Sequence, residues 1–170
     1  MIYENGYFHI YENCKKIVDV CKKLNVDTIA GPASSGVAIA VSVFMVSYQK
    51  KYPLNALLLG KEGYVRQKHC SGVKYIGNSN NIKNILVVDD LVASGESMLY
   101  ALDEIKKECL DVNIIGCLSS CFGFSSLSLI KEKYPGMRFF YKSYYNDDSY
   151  MEIESFYVSE GSWKTKEISI

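Results

Sequence analysis

Two neighbouring aspartates, Asp89 and Asp90, follow a run of hydrophobic residues at 85–88, and a segment of small residues at 93–97 comes next. At the start of a helix, such a segment offers free backbone N–H groups, hydroxyls and the positive end of the helix dipole. Together these groups suit a phosphate monoester. The two carboxylates suit sugar hydroxyls as hydrogen-bond acceptors, or Mg²⁺ through water. The stretch therefore predicts a site for a phosphorylated sugar.

A purely structural role is open for each of these elements taken alone. The aspartates would then form a turn or a cap, and Ser94 would be an ordinary helix N-cap. The hydrophobic run, the paired acids and the Ala-Ser-Gly-x-Ser sequence in this order are much harder to explain in that way. We therefore interpret the whole stretch as functional.

The elements that must position this stretch alternate between strand and helix. Hydrophobic periodicity predicts helices at 11–24, 36–49, 95–108 and 125–133, and strands at 27–30, 53–59, 84–88, 112–118 and 138–141. Strands separated by helices of this length indicate right-handed crossovers and a mostly parallel sheet. The predicted fold is α/β, a parallel sheet flanked by helices, and ligands bind at the carboxyl edge of such sheets, where the aspartates lie.

Two segments depart from this alternation. Residues 60–81 carry several cations and glycines, and a loop of this length is a lid, a binding loop, a disordered segment or a solvated surface loop. The tail at 144–170 is rich in Tyr, Ser and acids, and residues 150–158 alternate enough to form a strand, so the tail would be a small cap or an edge hairpin. We therefore expect one domain, with a core at 1–143 and an appendage at 144–170.

Composition and charge narrow the function classes. The 170 residues contain 19 Lys and Arg against 19 Asp and Glu, so the formal net charge of zero argues against nucleic acid or an acidic membrane as a partner. The most apolar stretch, residues 37–46, is about half the length needed to span a membrane. There is no signal-peptide pattern, and six scattered cysteines without a Cys-x-x-Cys pair favour reduced thiols in a cytoplasmic protein.

The stretch from Ile85 to Met98 resembles the phosphoribosyl pyrophosphate signature of type I phosphoribosyltransferases. That signature has hydrophobic residues, two acids, two variable positions and then Ala/Thr-Ser/Thr-Gly-x-Ser/Thr. The resemblance implies that Asp89 and Asp90 engage the ribose hydroxyls and help to organise Mg²⁺. It also implies that a loop binds the 5-phosphate, with Glu96 contributing at most its backbone N–H. The residues of this loop are Ala93, Ser94, Gly95, Glu96 and Ser97.

A second segment, Ala33-Ser34-Ser35-Gly36, looks like the pyrophosphate loop of the same family, a turn between a strand and a helix. The resemblance implies that Ser34, Ser35 and Gly36 present backbone N–H groups to the pyrophosphate. Taken in isolation, the segment is only a turn of small residues between a strand and a helix.

The long loop is similar to the flexible catalytic lid of the orotate phosphoribosyltransferase group, with its Arg-Lys-Glu…Lys-x-His-Gly pattern. The resemblance implies that Lys61, Arg66 and Lys68, with Mg²⁺, stabilise the charge of the leaving pyrophosphate while loop closure excludes water. Gly60 stands where Arg is usual and the spacing differs, so the roles of the single cations stay open. His69 is as readily a positioning or solvated residue as a catalytic one.

The residues that would choose the base do not match a named substrate. Enzymes that use orotate carry an Arg in the region that corresponds to 116–123, and none stands there; enzymes that use hypoxanthine or guanine commonly carry an Asp in place of Ala93. The resemblance implies Mg²⁺-dependent transfer of a phosphoribosyl group from phosphoribosyl pyrophosphate to a nucleobase-like acceptor, which these residues leave undetermined. It also implies a homodimer. The alternative is a non-catalytic regulatory protein that binds phosphoribosyl pyrophosphate or a nucleotide.

Overall fold

The computed structural model describes residues 2–60, 73–77, 82–109, 111–142, 149–157 and 162–168. In this part of the chain the helices are α1 (Ile2–Lys23), α2 (Ser35–Gln49), α3 (Glu96–Glu108) and α4 (Phe124–Lys133). The strands are β1 (Thr28–Pro32), β2 (Asn55–Leu59), β3 (Val73–Ile76), β4 (Asn84–Val92), β5 (Asn113–Phe122), β6 (Phe139–Lys142), β7 (Tyr150–Tyr157) and β8 (Ser162–Glu167). None of the helices in these ranges is long and apolar enough to cross a membrane.

All the described strands form one sheet in the order β3-β2-β1-β4-β5-β6-β7-β8. Strands β2, β1, β4, β5 and β6 run parallel, and β3, β7 and β8 join the two ends antiparallel. The predicted α/β fold with a mostly parallel sheet is confirmed. Residues 85–88 of β4 are fully buried, as expected of a strand covered on both faces.

Helices cover both faces of the sheet, and the two-residue period of the strands divides the core between them. On one face, Leu86 and Val88 of β4 pack with α1 and α2. On the other face, Ile85 and Val87 pack with α3 and α4. The burial of each such aliphatic side chain is worth roughly 1.5–3 kcal/mol, so the core holds β4 firmly just before the two aspartates.

Two strands are longer than the sequence predicts. Strand β4 continues through Asp89 and Asp90 to Val92, and β5 continues to Phe122, so the prediction that β4 ends at the aspartates is wrong. The two strands pair in parallel up to Val92 and Phe122, and this pairing overrides the low β-propensity of aspartate. Both carboxylates therefore project from a rigid strand. Helix α1 also begins nine residues earlier than predicted, at Ile2. The sequence does not predict this part of the helix because Gly6 and the β-branched and aromatic residues of the segment are weak helix formers.

The expected long loop at 60–81 contains a strand, so the loop prediction is wrong for residues 73–76. Strand β3 pairs antiparallel with β2, with Leu59 opposite Val73, and it occupies the side of β2 that would otherwise be an open edge. Residues 61–72 and 78–81 lie outside the described residues, and with them the predicted lid.

The tail joins the sheet as an edge hairpin, one of the two arrangements that the sequence predicts. Strand β7 pairs antiparallel with β6, and β8 pairs antiparallel with β7. The division into a core at 1–143 and an appendage at 144–170 stays a prediction.

The turn between β1 and α2 is held by a close approach of two backbone segments. A Cβ atom at Gly31 would overlap the carbonyl oxygen of Gly36 and lie 2.8 Å from the backbone nitrogen of Val37. A Cβ atom at Gly36 would in turn lie 2.6 Å from the carbonyl oxygen of Val88. Glycine at these two positions lets the start of α2 lie against β1 and β4.

This close approach predicts a large effect of one methyl group. Gly31→Ala should lower the free energy of unfolding by about 3 kcal/mol, because backbone atoms must move to admit the Cβ. Gly136→Ala is the matched control, since a Cβ at Gly136 meets no atom within 4 Å and the change should stay within about 1 kcal/mol. Urea denaturation of both variants measures the difference, and equal midpoints would contradict the close approach.

Candidate functional site

The two sequence segments that resemble ligand-binding loops meet at the carboxyl edge of the sheet. Strands β1 and β4 are adjacent and parallel, so the β1–α2 turn and the β4–α3 loop emerge side by side. Ser35, in the first turn of α2, places its Oγ 2.8 Å from Oδ1 of Asp89 and 2.7 Å from Oδ1 of Asp90. Residues that are 54 and 55 positions apart in the sequence thus form one cluster, with a hydroxyl between two carboxylates.

The two carboxylates of this cluster differ in environment. The side chain of Asp89 is buried, and burial, more than any other cause, raises its pKa above the ordinary value. Asp90 is exposed, and the hydrogen bond from Ser35 is the main cause that lowers its pKa. The backbone N–H of Asp90 donates to Oδ1 of Asp89 at 2.9 Å, and that of Leu91 donates to Oδ1 of Asp90 at 2.7 Å. These bonds fix both side chains, so the ligand meets preorganised acceptors.

The loop at 93–97 forms the wall of a small cavity beside this cluster. The cavity has a volume of about 170 Å³ and is lined by Asp89 and by residues of the loop and its neighbours, including Ser94 and Ser97. Helix α3 begins at Glu96, so the backbone N–H groups and the positive end of the dipole lie at this cavity. Gly95 has φ of +88° and packs against Ser126, two conditions that favour glycine. The arrangement suits a phosphate group.

The β1–α2 turn adds a second helix N-terminus next to the aspartates. The peptide bond between Ala33 and Ser34 is cis, and the N–H of Ala33 donates to the carbonyl of Leu59 at 2.9 Å. Helix α2 begins at Ser35, and the first turn of a helix leaves its N–H groups without intrahelical acceptors. Ser35 and Gly36 therefore contribute donors at this turn, whereas the N–H of Ala33 is already bonded to Leu59.

A larger cavity of about 370 Å³ opens on the other side of the aspartates. Its walls come from α1, α2 and the four strands β4 to β7, and Asp89, Asp90 and Ser35 lie at its rim. Several of its residues were not recognised from the sequence. These are Asn13, Cys14 and Ile17 of α1 and Lys142 of β6. The available signal was the position of Lys142 two residues after the core residue Phe140, which places it on the same face of the sheet.

The two aspartates have the donor chemistry of a Mg²⁺ site. Mg²⁺ in proteins is held by one or two carboxylates and keeps several waters or substrate phosphate oxygens. Within the described ranges, no group of three or more His, Cys, Asp or Glu side chains forms a complete metal cage. Asp89 and Asp90 would supply two carboxylate ligands to a magnesium ion, and its other ligands would be water or phosphate oxygens.

The predicted site residues divide into two groups. The structure brings together the β1–α2 turn, the two aspartates and the β4–α3 loop, as the sequence predicts. The cations of the predicted lid, Lys61, Arg66 and Lys68, lie outside the described residues, as does His69.

No family model matches the sequence, but the chain is similar to individual known proteins. The chain is 33% identical over 105 residues to the transcriptional regulator GfcR of Methanocaldococcus jannaschii. It is 32% identical over 100 residues to the orotate phosphoribosyltransferase of Metarhizium anisopliae. Each match covers 55% of this chain, but 44% of the first protein and 42% of the second, so the chain spans less than half the length of these relatives.

The solved structures define the fold. The orotate phosphoribosyltransferase of Mycobacterium tuberculosis in complex with 5-phospho-α-D-ribosyl 1-diphosphate matches with a TM-score of 0.57 at 13% identity, over 76% of this chain and 69% of that one. The chain therefore has the fold of the type I phosphoribosyltransferases, and the resemblance predicted from the sequence is confirmed at the level of the fold.

The buried carboxylate predicts a pH-dependent stability difference. The raised pKa of Asp89 means that the folded protein binds this proton more tightly than the unfolded chain does. The free energy of unfolding therefore falls as the pH rises from the ordinary carboxyl pKa through the raised pKa of Asp89. It stays at this lower value at neutral pH. Asp89→Asn removes the charge and keeps an acceptor oxygen, so its Tm should exceed that of the wild type at pH 7. The difference should shrink towards zero at pH 3.

Asp90→Asn is the matched control, and its effect on Tm should have the opposite sign. The pKa of Asp90 is lowered, so its charge stabilises the fold above the ordinary carboxyl range, and the variant should melt slightly below the wild type at pH 7. The effect should be small because the side chain is exposed to solvent. Thermal melts at pH 3 and pH 7 test both signs, and a gain for Asp89→Asn that is larger at pH 3 would contradict the account.

Proposed function

We propose that the chain is a phosphoribosyltransferase, which moves the phosphoribosyl group of phosphoribosyl pyrophosphate onto a nitrogenous base and releases pyrophosphate. The observation that carries the proposal is the cluster of Ser35, Asp89 and Asp90. It joins a turn suited to a diphosphate, a loop suited to a phosphate and a larger cavity at one edge of the sheet. A donor with phosphate groups at both ends of a ribose fits this arrangement.

Each part of the donor has a partner among the described residues. The 5-phosphate occupies the small cavity and accepts hydrogen bonds from the loop at 93–97. The ribose hydroxyls donate to the carboxylates of Asp89 and Asp90. The pyrophosphate accepts from the N–H groups of the turn at 34–36. The donor is thereby held with its C1 atom towards the larger cavity, where the base would lie.

The reaction breaks the bond between C1 and the pyrophosphate oxygen and forms a bond between C1 and a ring nitrogen. The electron pair of the broken bond leaves with pyrophosphate, so negative charge grows there while positive charge grows on the ribose. The carboxylates beside the ribose stabilise the positive charge. Lys61, Arg66 and Lys68 would stabilise the pyrophosphate, and His69 would help to position it. When bound, Mg²⁺ would supply further positive charge to the leaving group.

The names of similar proteins support the proposal. The Metarhizium anisopliae relative is an orotate phosphoribosyltransferase, and the Mycobacterium tuberculosis structure is a complex with the proposed donor. A homodimer as the working form is what the resemblance of the sequence to the family implies. The buried thiols of Cys14, Cys21 and Cys117 support a reducing, cytoplasmic location.

A regulatory protein is the second candidate, and the relative named transcriptional regulator GfcR favours it. Such a protein would bind the donor or a nucleotide with the same loops and catalyse no transfer. The two functions separate in one assay. Only the transferase releases pyrophosphate from phosphoribosyl pyrophosphate when a base is added, whereas the regulatory protein binds phosphoribosyl pyrophosphate or a nucleotide and releases none.

The proposal predicts that the paired acids are essential to turnover. Asp89→Asn combined with Asp90→Asn should lower pyrophosphate release by at least about a hundredfold, because the ribose loses both charged acceptors. The fold should remain cooperative, since the Asn side chains retain acceptor oxygens. Pyrophosphate release from phosphoribosyl pyrophosphate and Mg²⁺, with purine, pyrimidine and pyridine bases, is the measurement.

The double variant Asp19→Asn with Asp103→Asn is its control. Both residues form partly exposed ion pairs on helices, Asp19 with Lys50 and Asp103 with Lys133, away from the cavities. This control also removes two carboxylates and should retain full turnover. Unchanged turnover in the variant of Asp89 and Asp90 would contradict the assignment of the site.

A further inference from the structure

The loop at 93–97 is backed by a second turn, which joins β5 to α4 and comprises residues 123–126. Gly123 is the N-cap of α4, and Ser126 lies in the first turn of this helix. The backbone N–H of Gly123 donates to the carbonyl oxygen of Val92 at 2.9 Å. Val92 is the last residue of β4 before the loop, so the β5–α4 turn is bonded to the chain at the point where the loop begins.

The hydroxyl of Ser126 makes a second connection at the same point. This side chain is fully buried, and its Oγ lies 2.9 Å from the carbonyl oxygen of Val92 and 2.7 Å from that of Gly123. The two carbonyls share its one hydrogen. The bond to Gly123 stays within the start of α4 and would serve that helix alone. The bond to Val92 crosses to the strand that carries the two aspartates, so the hydroxyl ties α4 to the start of the loop.

The β5–α4 turn also supports the loop by direct packing. A Cβ atom at Gly95 would lie 3.0 Å from the Cβ of Ser126, and a Cβ at Gly123 would lie 2.6 Å from the carbonyl oxygen of Ala93. In the described structure, the residues that line the small cavity come from 89–98 and include neither Gly123 nor Ser126. The turn therefore supports the loop from behind, without taking part in the cavity wall.

We propose that Ser126 is a positioning residue for the 5-phosphate, which it never touches. Its hydroxyl holds the loop at 93–97 in the conformation in which the backbone N–H groups converge on the small cavity. The inference rests on the proposed function, because that proposal places the 5-phosphate in this loop. A loop without this support spreads over several conformations, and the apparent affinity falls with the fraction of molecules that remain competent to bind.

Ser47 provides a matched control in another part of the core. Like Ser126, it is a fully buried serine in a helix, and its Oγ donates to the carbonyl three residues earlier, that of Phe44, at 2.6 Å. It also bonds to a backbone group outside its helix, because it accepts from the N–H of Leu54 at 3.0 Å. Ser47 lies near the end of α2, roughly 18 Å along the helix from its first residue at the site. Changing either serine to Ala therefore removes a similar pair of hydrogen bonds, and only one of the two pairs reaches the loop.

The test uses ribose 5-phosphate as the probe, with binding measured by calorimetry and stability by urea denaturation. Ser126→Ala and Ser47→Ala should lower the urea midpoint by similar amounts, since each loses two buried hydrogen bonds. Ser126→Ala should weaken the binding of ribose 5-phosphate by about 5- to 20-fold, because the N–H groups of the loop no longer converge. Ser47→Ala should bind within about twofold of the wild type.

Gly123→Ala perturbs the same support by a different route. The added Cβ meets the carbonyl oxygen of Ala93, so the loop must shift, and ribose 5-phosphate should again bind more weakly than in the wild type. This variant keeps the test available if Ser126→Ala does not fold. If transfer occurs, both variants should raise KM for phosphoribosyl pyrophosphate and spare KM for the base, a division that a general loss of stability does not produce.

Three results would overturn the inference. These are equal weakening of ribose 5-phosphate binding in Ser126→Ala and Ser47→Ala, wild-type affinity in Ser126→Ala or in Gly123→Ala, and no binding of ribose 5-phosphate by the wild type. The first of these would show that Ser126 contributes only to stability.

The outcomes also separate this inference from the proposed function. Binding of ribose 5-phosphate that depends on Ser126, without pyrophosphate release with any base, would support the inference and contradict the transferase. Base-dependent pyrophosphate release with an unchanged KM for phosphoribosyl pyrophosphate in Ser126→Ala would support the transferase and overturn the inference.

Discussion

Parallel pairing of β1 with β4 is the constraint on which the rest of the site depends. It brings the end of β1 and the end of β4 to one edge of the sheet, so that the hydroxyl of Ser35 lies between the carboxylates of Asp89 and Asp90. Helices α2 and α3, which follow these two strands, begin at this edge, so their N-termini lie in the same region. A change in the register of either strand would separate the hydroxyl from the acids and the two helix N-termini from each other.

The core supports a cluster that is itself unfavourable. Two adjacent carboxylates repel each other, and burial of Asp89 disfavours its charge. The fully buried residues 85–88 on the preceding part of β4 anchor the strand on both faces and offset this penalty. Binding sites often contain such locally unfavourable groups, because the charge that destabilises the fold is the charge that a ligand recognises.

Local patterns in the sequence predicted the strands of the parallel core and the segments that form the site. Three of these patterns are each recognisable within a few consecutive residues: the hydrophobic run at 85–88, the paired aspartates and the small-residue loop. The lengths of β4 and β5 were underestimated because pairing between two strands, rather than propensity, holds Asp89 and Asp90 in extended conformation. Strand β3 was missed because its four residues are defined by pairing with β2.

The walls of the larger cavity were missed for the same reason. They combine residues from α1, β6 and β7, which are brought together only when the order of the strands in the sheet is known. Lys142 has no motif around it, and its position becomes informative when β6 is placed beside β5. The larger cavity is therefore a non-local feature, whereas the proposed donor site is largely local.

An NMR titration of the wild-type protein with phosphoribosyl pyrophosphate and Mg²⁺ tests the central claim most directly, that two turns and two acids form one donor site. The account predicts that backbone amide signals of Ser35, Asp90 and Gly95 shift together, with one dissociation constant. It also predicts that these shifts are lost in the double Asn variant of Asp89 and Asp90. Shifts confined to one of the two turns, or to residues away from this edge of the sheet, would contradict it.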